Sequence, residues 1–185
     1  YVLTENISNE FMNFALNEFS ELSLKATGRK ICVSSIQNEN ENKKFISIGN
    51  TSAFETENGY NKLLNINTSG YIIFNKNGNI FICGKTQYGT LYGIYDFRKQ
   101  VFGIEIYSGD EIYVPFSGDI SINIVDCIKN PDIEYRHIGY WNVQNPINSN
   151  RMRVMSNKMS FSTYKSEGSG DVFDRDIYYG IWGGL

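Results

Sequence analysis

Cysteine, histidine and proline are scarce in this chain. Its 185 residues include three cysteines, one histidine and three prolines. Cys32, Cys83 and Cys127 lie far apart, and no two form a C-x-x-C pair. An odd, scattered set gives neither a disulfide framework nor a zinc site, and each cysteine sits in or beside an apolar run, as a buried free thiol would. The single histidine, His137, lies between Arg136 and Ile138. Glu134, three residues away in an extended segment, would fall on the opposite face, so no acid is placed to orient the imidazole for catalysis. Lys/Arg runs are missing too, which argues against a phosphate-tracking surface and against nucleic acid as a partner. No apolar run approaches the roughly 20 residues that span a bilayer, so no membrane partner is expected. The chain opens on Tyr1 with neither the basic nor the apolar region of a signal peptide. It reads as a processed or trimmed piece, compatible with a secreted or cell-surface origin.

What the chain does have is apolar and aromatic residues, 41% and 15% of the total, enough for a globular core. The stretch from Gly70 to Pro115 organises the rest. Two apolar runs, Tyr71–Phe74 and Ile80–Cys83, flank Asn75-Lys76-Asn77-Gly78-Asn79. Asn and Gly tolerate positive φ, so this reads as a β-hairpin. A helix follows over about 88–102, with Leu91, Ile94, Tyr95, Val101 and Phe102 at helical spacing. It keeps Gly89 and Gly93, although each glycine costs about 1 kcal/mol against alanine. Such a helix needs its backbone close to a sheet. Gly103 is placed to stop it, and short strands at 104–107 and 111–114 come next.

Upstream, residues 1–4 suit a strand, and a helix is expected from a Ser8 cap to about Lys25. Phe11, Phe14, Ala15, Phe19 and Leu22 form its apolar stripe and Thr27-Gly28 its end. Strands follow at 30–35 and 45–48, around a polar loop at 37–44. A short helix within 53–64 is interrupted at Gly59. Downstream, Ile120, Ile122 and Ile124 alternate as in a half-buried strand. Asn130-Pro131 is a breaker, and 133–140 could open a new strand. Beyond Trp141 the periodicity weakens, and Asn145-Pro146, Ser149-Asn150 and 166–170 are loop signals.

The motifs that suggest chemistry have plainer readings. Gly84-Lys85-Thr86 joins a strand to a helix, but five residues separate Gly78 from Gly84 where a phosphate loop has four, and most of them are strand. Asp171, Asp174 and Asp176 lack the spacing and closing ligand of a calcium loop and read as a solvated segment. Glu105, Asp110 and Glu111 could be imagined as paired carboxylates for glycoside cleavage, but no cleft is built around them, and they read as surface charge. No metal or other cofactor is expected.

Several segments together resemble a known family. The helix 16–28, ending Ala26-Thr27-Gly28, is followed by the strand and Gly49. Thr86, Gly89, Thr90, Leu91, Tyr92, Gly93, Tyr95, Asp96 and Phe97 make a dense motif, trailed by Gly103 and Tyr107. Pro131, Glu134, Tyr135 and Arg136 come later. This order is similar to the amino-terminal domain that precedes the catalytic barrel in α-glucuronidases and β-hexosaminidases, and to large bacterial proteins that carry it before a glycoside-hydrolase-like barrel. The resemblance covers residues 1 to about 140. It implies an α+β fold with a mixed sheet and two main helices packed on one face. After it would come the opening segment of a (β/α) barrel, with units at 1–128 and 129–185. It implies an accessory domain without catalytic residues, whose partner is a barrel of the same full-length chain. A free-standing carbohydrate-binding or protein-interaction module is the alternative. Tyr140 and Tyr178 join Trp141, Asn142, Arg151 and Trp182 as an aromatic and polar set near the barrel entry. Trp141, Asn142, Arg151 and Trp182 are the residues expected to touch an oligo- or polysaccharide, if any in the chain do.

Overall fold

The computed structural model describes residues 1–4, 10–34, 44–116, 118, 122, 124, 126–133, 136 and 146–154. The chain runs β1 (Val2–Leu3), α1 (Glu10–Thr27), β2 (Val33–Ser34), β3 (Ile46–Ile48), α2 (Ser52–Thr56), α3 (Gly59–Leu63), β4 (Tyr71–Lys76) and β5 (Asn79–Gly84). It continues with α4 (Gln87–Phe102), β6 (Glu105–Ile106), β7 (Ile112–Tyr113), β8 (Cys127–Lys129) and α5 (Pro146–Arg151). Six strands make one mixed sheet in the order β2-β1-β3-β5-β4-β8. β2, β1, β3 and β5 are parallel, and β4 is antiparallel to both β5 and β8. β6 and β7 form a separate antiparallel ribbon.

Strand periodicity sorts the core into two layers. Tyr71, Ile73, Ile80 and Ile82 face α1 and α4, where Ala15, Phe19, Leu22, Leu91, Ile94 and Phe97 meet them. Ile72, Phe74, Phe81 and Cys83 face the other way, against Phe54 and Leu63 of the short helices α2 and α3. Both faces are covered, so the strands are continuous apolar runs. The rings pack closely in each layer. Phe74 stacks on Phe81 with centroids 4.7 Å apart, and Phe19 lies 6.0 Å from Phe97 and 6.1 Å from Phe102.

The hairpin turn is tighter than the five polar residues suggest. Both strands extend into them, leaving Asn77-Gly78 with φ of 54° and 79° as a two-residue turn. α1 ends at Thr27, and Gly28, at φ 73°, donates its N–H to Leu24 O. α4 ends likewise at Gly103, φ 65°. The interrupted helix is two short ones, separated by Asn58 in the left-handed region, with Gly59 opening the second.

The two glycines of α4 lie directly against the hairpin. A Cβ on Gly89 would fall 2.2 Å from Gly70 O, and one on Gly84 would fall 2.1 Å from Thr90 N. A Cβ on Gly93 would meet Ile82 Cγ2 at 2.8 Å. Gly70 O also accepts the N–H of Lys85, so it is pinned and has no room to retreat.

The chain beyond residue 118 differs from expectation. Ile122 and Ile124 carry no strand, and the rest of the expected strand at 119–125 lies outside the described residues. The sheet's last strand is instead β8, which runs across residue 128 and pairs with β4. The stretch around Pro146 reads as loop in sequence, yet it is helical, with proline at the first position, where its missing N–H costs nothing. Of the strand expected at 133–140, Ile133 and Arg136 are described and neither is in a strand.

Gly89→Ala tests the close approach. Alanine gains about 1 kcal/mol of helix propensity, but the overlap with fixed backbone costs more, and a net loss of about 2 kcal/mol or more in urea unfolding is expected. Gln100→Ala, on an exposed part of the same helix, should stay within about 0.5 kcal/mol.

Candidate functional site

A buried ionic cluster joins α1, α4 and α5. Glu18 of α1 is 6% exposed and Arg98 of α4 is 1% exposed. Arg98 Nη1 donates to Glu18 Oε2 at 2.9 Å. The other oxygen, Oε1, accepts from Arg151 Nε at 2.7 Å, with Arg151 Nη2 at 2.5 Å. Arg151 Nη1 donates to Gly109 O at 2.6 Å, in the β6–β7 turn. The same turn meets α5 again through Asn148 Nδ2, which donates to Asp110 Oδ1 at 3.2 Å. Gly109 is required there, because a Cβ would lie 2.1 Å from Asn148 Cγ. Outside this knot, Arg136 Nε donates to Arg153 O, and Arg153 approaches Asp96 at 3.8 Å.

One carboxylate therefore holds two arginines, one from the helical layer and one from the segment after β8. Burying a charge is costly unless it is paired, and removing one partner of a buried pair typically costs about 3–5 kcal/mol. The cluster is a fastening between the sheet-and-helix unit and residues 146–154. Beside it, Tyr95, Asp96, Lys99, Glu105, Arg151 and Arg153 contribute to a shallow cavity of about 360 Å³. The charged groups around it are already matched, Lys99 to Glu105 at 2.9 Å and Arg153 to Asp96.

A second cavity, about 460 Å³, opens at the carboxyl ends of β1, β3 and β5, beside the start of α4. In open α/β sheets such a crevice is the usual place for a ligand. Here Lys85 Nζ turns away to the carbonyls of Leu63 and Leu64, and Thr86 Oγ1 donates to Thr68 O. Burial pushes the Cys83 thiol up to about 12, so this thiol stays neutral. Among the described residues no group of His, Cys, Asp and Glu could hold a metal ion, and no helix is long and apolar enough to cross a membrane.

Of the residues singled out from sequence, Arg151 is described and belongs to the Glu18 cluster. Trp141, Asn142 and Trp182 lie outside the described residues, as do Tyr140, Tyr178, His137 and the tail aspartates. Glu18 and Arg98 were missed. Both carried a signal, since each sits on an apolar helical stripe: Glu18 beside Ala15 and Leu22, Arg98 beside Ile94 and Phe102. A charge on a buried stripe calls for an opposite charge on whatever packs against it.

A family model described as "Glycosyl hydrolase family 67 N-terminus" matches residues 1–97, just over half of the chain. The chain belongs to this family. The match takes in β1 through most of α4, including the hairpin and both α4 glycines. No curated protein matches the chain. Among solved structures, a GH138 enzyme targeting pectin rhamnogalacturonan II is similar at 14% identity with a TM-score of 0.45, over 73% of this chain and 12% of that one. The chain thus spans a small part of that enzyme's length.

Two outcomes test the site. Glu18→Leu leaves Arg98 buried and unpaired and should cost about 3 kcal/mol in urea unfolding. Arg151→Met should cost less, because Arg151 is 18% exposed. In the double variant the Arg151 effect should shrink to what its bond to Gly109 O contributes, since its carboxylate partner is gone; fully additive losses would show that the two do not interact. For Cys83, the thiol stays neutral in the folded chain but ionises above about 9 when unfolded, so stability should fall as pH rises from about 9 towards about 12. In the native protein a thiol reagent should modify the exposed Cys32 long before Cys83.

Proposed function

We propose that this chain is a non-catalytic accessory domain of a carbohydrate-active enzyme, packed in the parent protein against a catalytic barrel. The wider likeness to the amino-terminal domains of β-hexosaminidases belongs to this reading. The observation that carries it is the Glu18 cluster. The N-terminal unit commits buried charge to gripping the chain that leaves it, as a domain does when its task is to hold the next unit in place. The chemistry of the described residues agrees. The larger crevice offers a neutral thiol and an engaged lysine, and the carboxylates around the smaller cavity are ion-paired.

In this reading Trp141, Asn142 and Trp182 lie where the barrel begins and are the residues offered to saccharide. Arg151 contributes through its grip on Glu18, because its guanidinium is already committed to the carboxylate and to Gly109 O. Which glycosidic bond the parent cleaves is set by the barrel.

The intact mass of the natural gene product is the first test, and a product several hundred residues longer than this chain is expected. That parent should cleave aryl glycosides or uronic-acid glycosides, and the 185-residue chain alone should cleave neither. A native product ending near Leu185, or glycosidase activity in the isolated chain, would overturn the proposal.

A further inference from the structure

The β6–β7 ribbon has an inner and an outer face. Ile104 is buried, and Ile106, Ile112 and Val114 pack half-buried against the helical core. Side chains alternate along a strand, so Glu105, Tyr107, Glu111 and Tyr113 share the outer face. Register places Glu105 opposite Tyr113. The Tyr107 N–H donates to Glu111 O at 3.0 Å, which brings those two side by side. The four residues form a checkerboard. Each tyrosine has a carboxylate across the ribbon and the other tyrosine on the diagonal, a spacing of about 7–8 Å in such pairs. Tyr107 is 64% exposed and Tyr113 54%. Lys99 pairs with Glu105 at 2.9 Å from the edge of this face.

We propose that this outer face binds a neutral oligosaccharide. The tyrosine rings stack on the C–H faces of successive sugar units, and Glu105 and Glu111 accept hydrogen bonds from sugar hydroxyls. The two residue types match the two surfaces of a sugar. An aromatic ring with a polar tip suits a half-wet contact, and an ionised carboxylate is an acceptor for several O–H donors. The charge on the face selects against acidic polymers, which would bring carboxylates against carboxylates. A protein docked flat on the ribbon would have to bring a cation to Glu111. A bound sugar leaves the carboxylates in contact with water. The inference draws on the carbohydrate setting proposed above but does not need a barrel.

The test is affinity electrophoresis of the 185-residue chain through gels containing neutral glucan, neutral arabinoxylan, mannan or polygalacturonate. At least one neutral polymer should retard the chain. Tyr107→Ala and Tyr113→Ala should each weaken that retardation about tenfold, the equivalent of about 1.4 kcal/mol. Tyr107→Phe and Tyr113→Phe keep the ring and should retain most of it. Tyr60→Ala, removing an exposed tyrosine on α3, should change nothing. The substituted side chains are exposed, so every variant should keep the parental circular dichroism. Migration unaffected by any neutral polymer would overturn the inference, as would retardation that survives both alanine variants or appears with polygalacturonate alone. Failure of the accessory-domain reading would show in the native mass and activity instead, so the two can fail separately.

Discussion

The contact between α4 and the β4–β5 hairpin is the constraint on which the other parts of the structure depend. The helix backbone rests on the carbonyl of Gly70 and the Cα of Gly84, closer than any side chain permits. This depth decides what the rest of α4 can reach. At its two ends it hands on different features: Thr90 Oγ1 accepts the N–H of Gly84, closing the strand, while Arg98 is carried down to the level of Glu18. A helix lifted by one methyl group would still cover the sheet but would separate the buried charges. The two glycines give up propensity, about 1 kcal/mol each, and the gain is a fixed height from which the helical layer is built.

The charge balance around Glu18 then explains why the cluster tolerates burial. One carboxylate faces two guanidinium groups, so the cluster carries an excess positive charge. Arg98 Nε and Nη2 have no hydrogen-bond partner among the described residues. Its Cζ lies 4.5 Å from the centre of the Tyr95 ring, whose negative face answers part of the charge. Arg151 keeps some exposure to water and reaches a backbone carbonyl, so the surplus sits at the outer edge of the cluster. The arrangement is directional. The inner pair belongs to the helical layer alone, and the outer arginine arrives with the following segment.

Much of the fold could be read from residue patterns because local and tertiary demands agree there. The hairpin, the helix stops at Gly28 and Gly103, and the need for a close surface under Gly89 and Gly93 each came from glycine's freedom or its small size. The misreadings came where they disagree. Residues 146–151 look like loop because Pro146, Ser149 and Asn150 are weak helix formers, yet tertiary contacts through Asn148 and Arg151 hold a helical turn and a half. β8 is short, and the alternation at Ile120, Ile122 and Ile124 just before it drew the expected strand to 119–125. Its place at the sheet edge comes from Asn130 and Pro131, which accept from Asn67, and from Asp126, which accepts from Asn75. Glu18 and Arg98 were visible as charges on apolar stripes, but nothing local says that they meet across 80 residues.

The direction taken by the chain after β8 bears on what the domain is for. β8 lies at the sheet edge beside β4, and α5 lies against α4, bonded to Glu18 and to the β6–β7 turn. The segment leaving the sheet is therefore brought back onto the helical face. That return depends on three separate elements being in place, since α1 supplies Glu18 and the ribbon Gly109 O to Arg151, and α4 supplies Asp96 to Arg153. An exit fastened at one point could swing, whereas one fastened to three elements has its position and direction set. A unit that sets so closely where residues 146–154 lie suits the supporting role proposed for it. In that proposal saccharide is recognised by surfaces beside the fastening, the β6–β7 ribbon among them, rather than by the core beneath it.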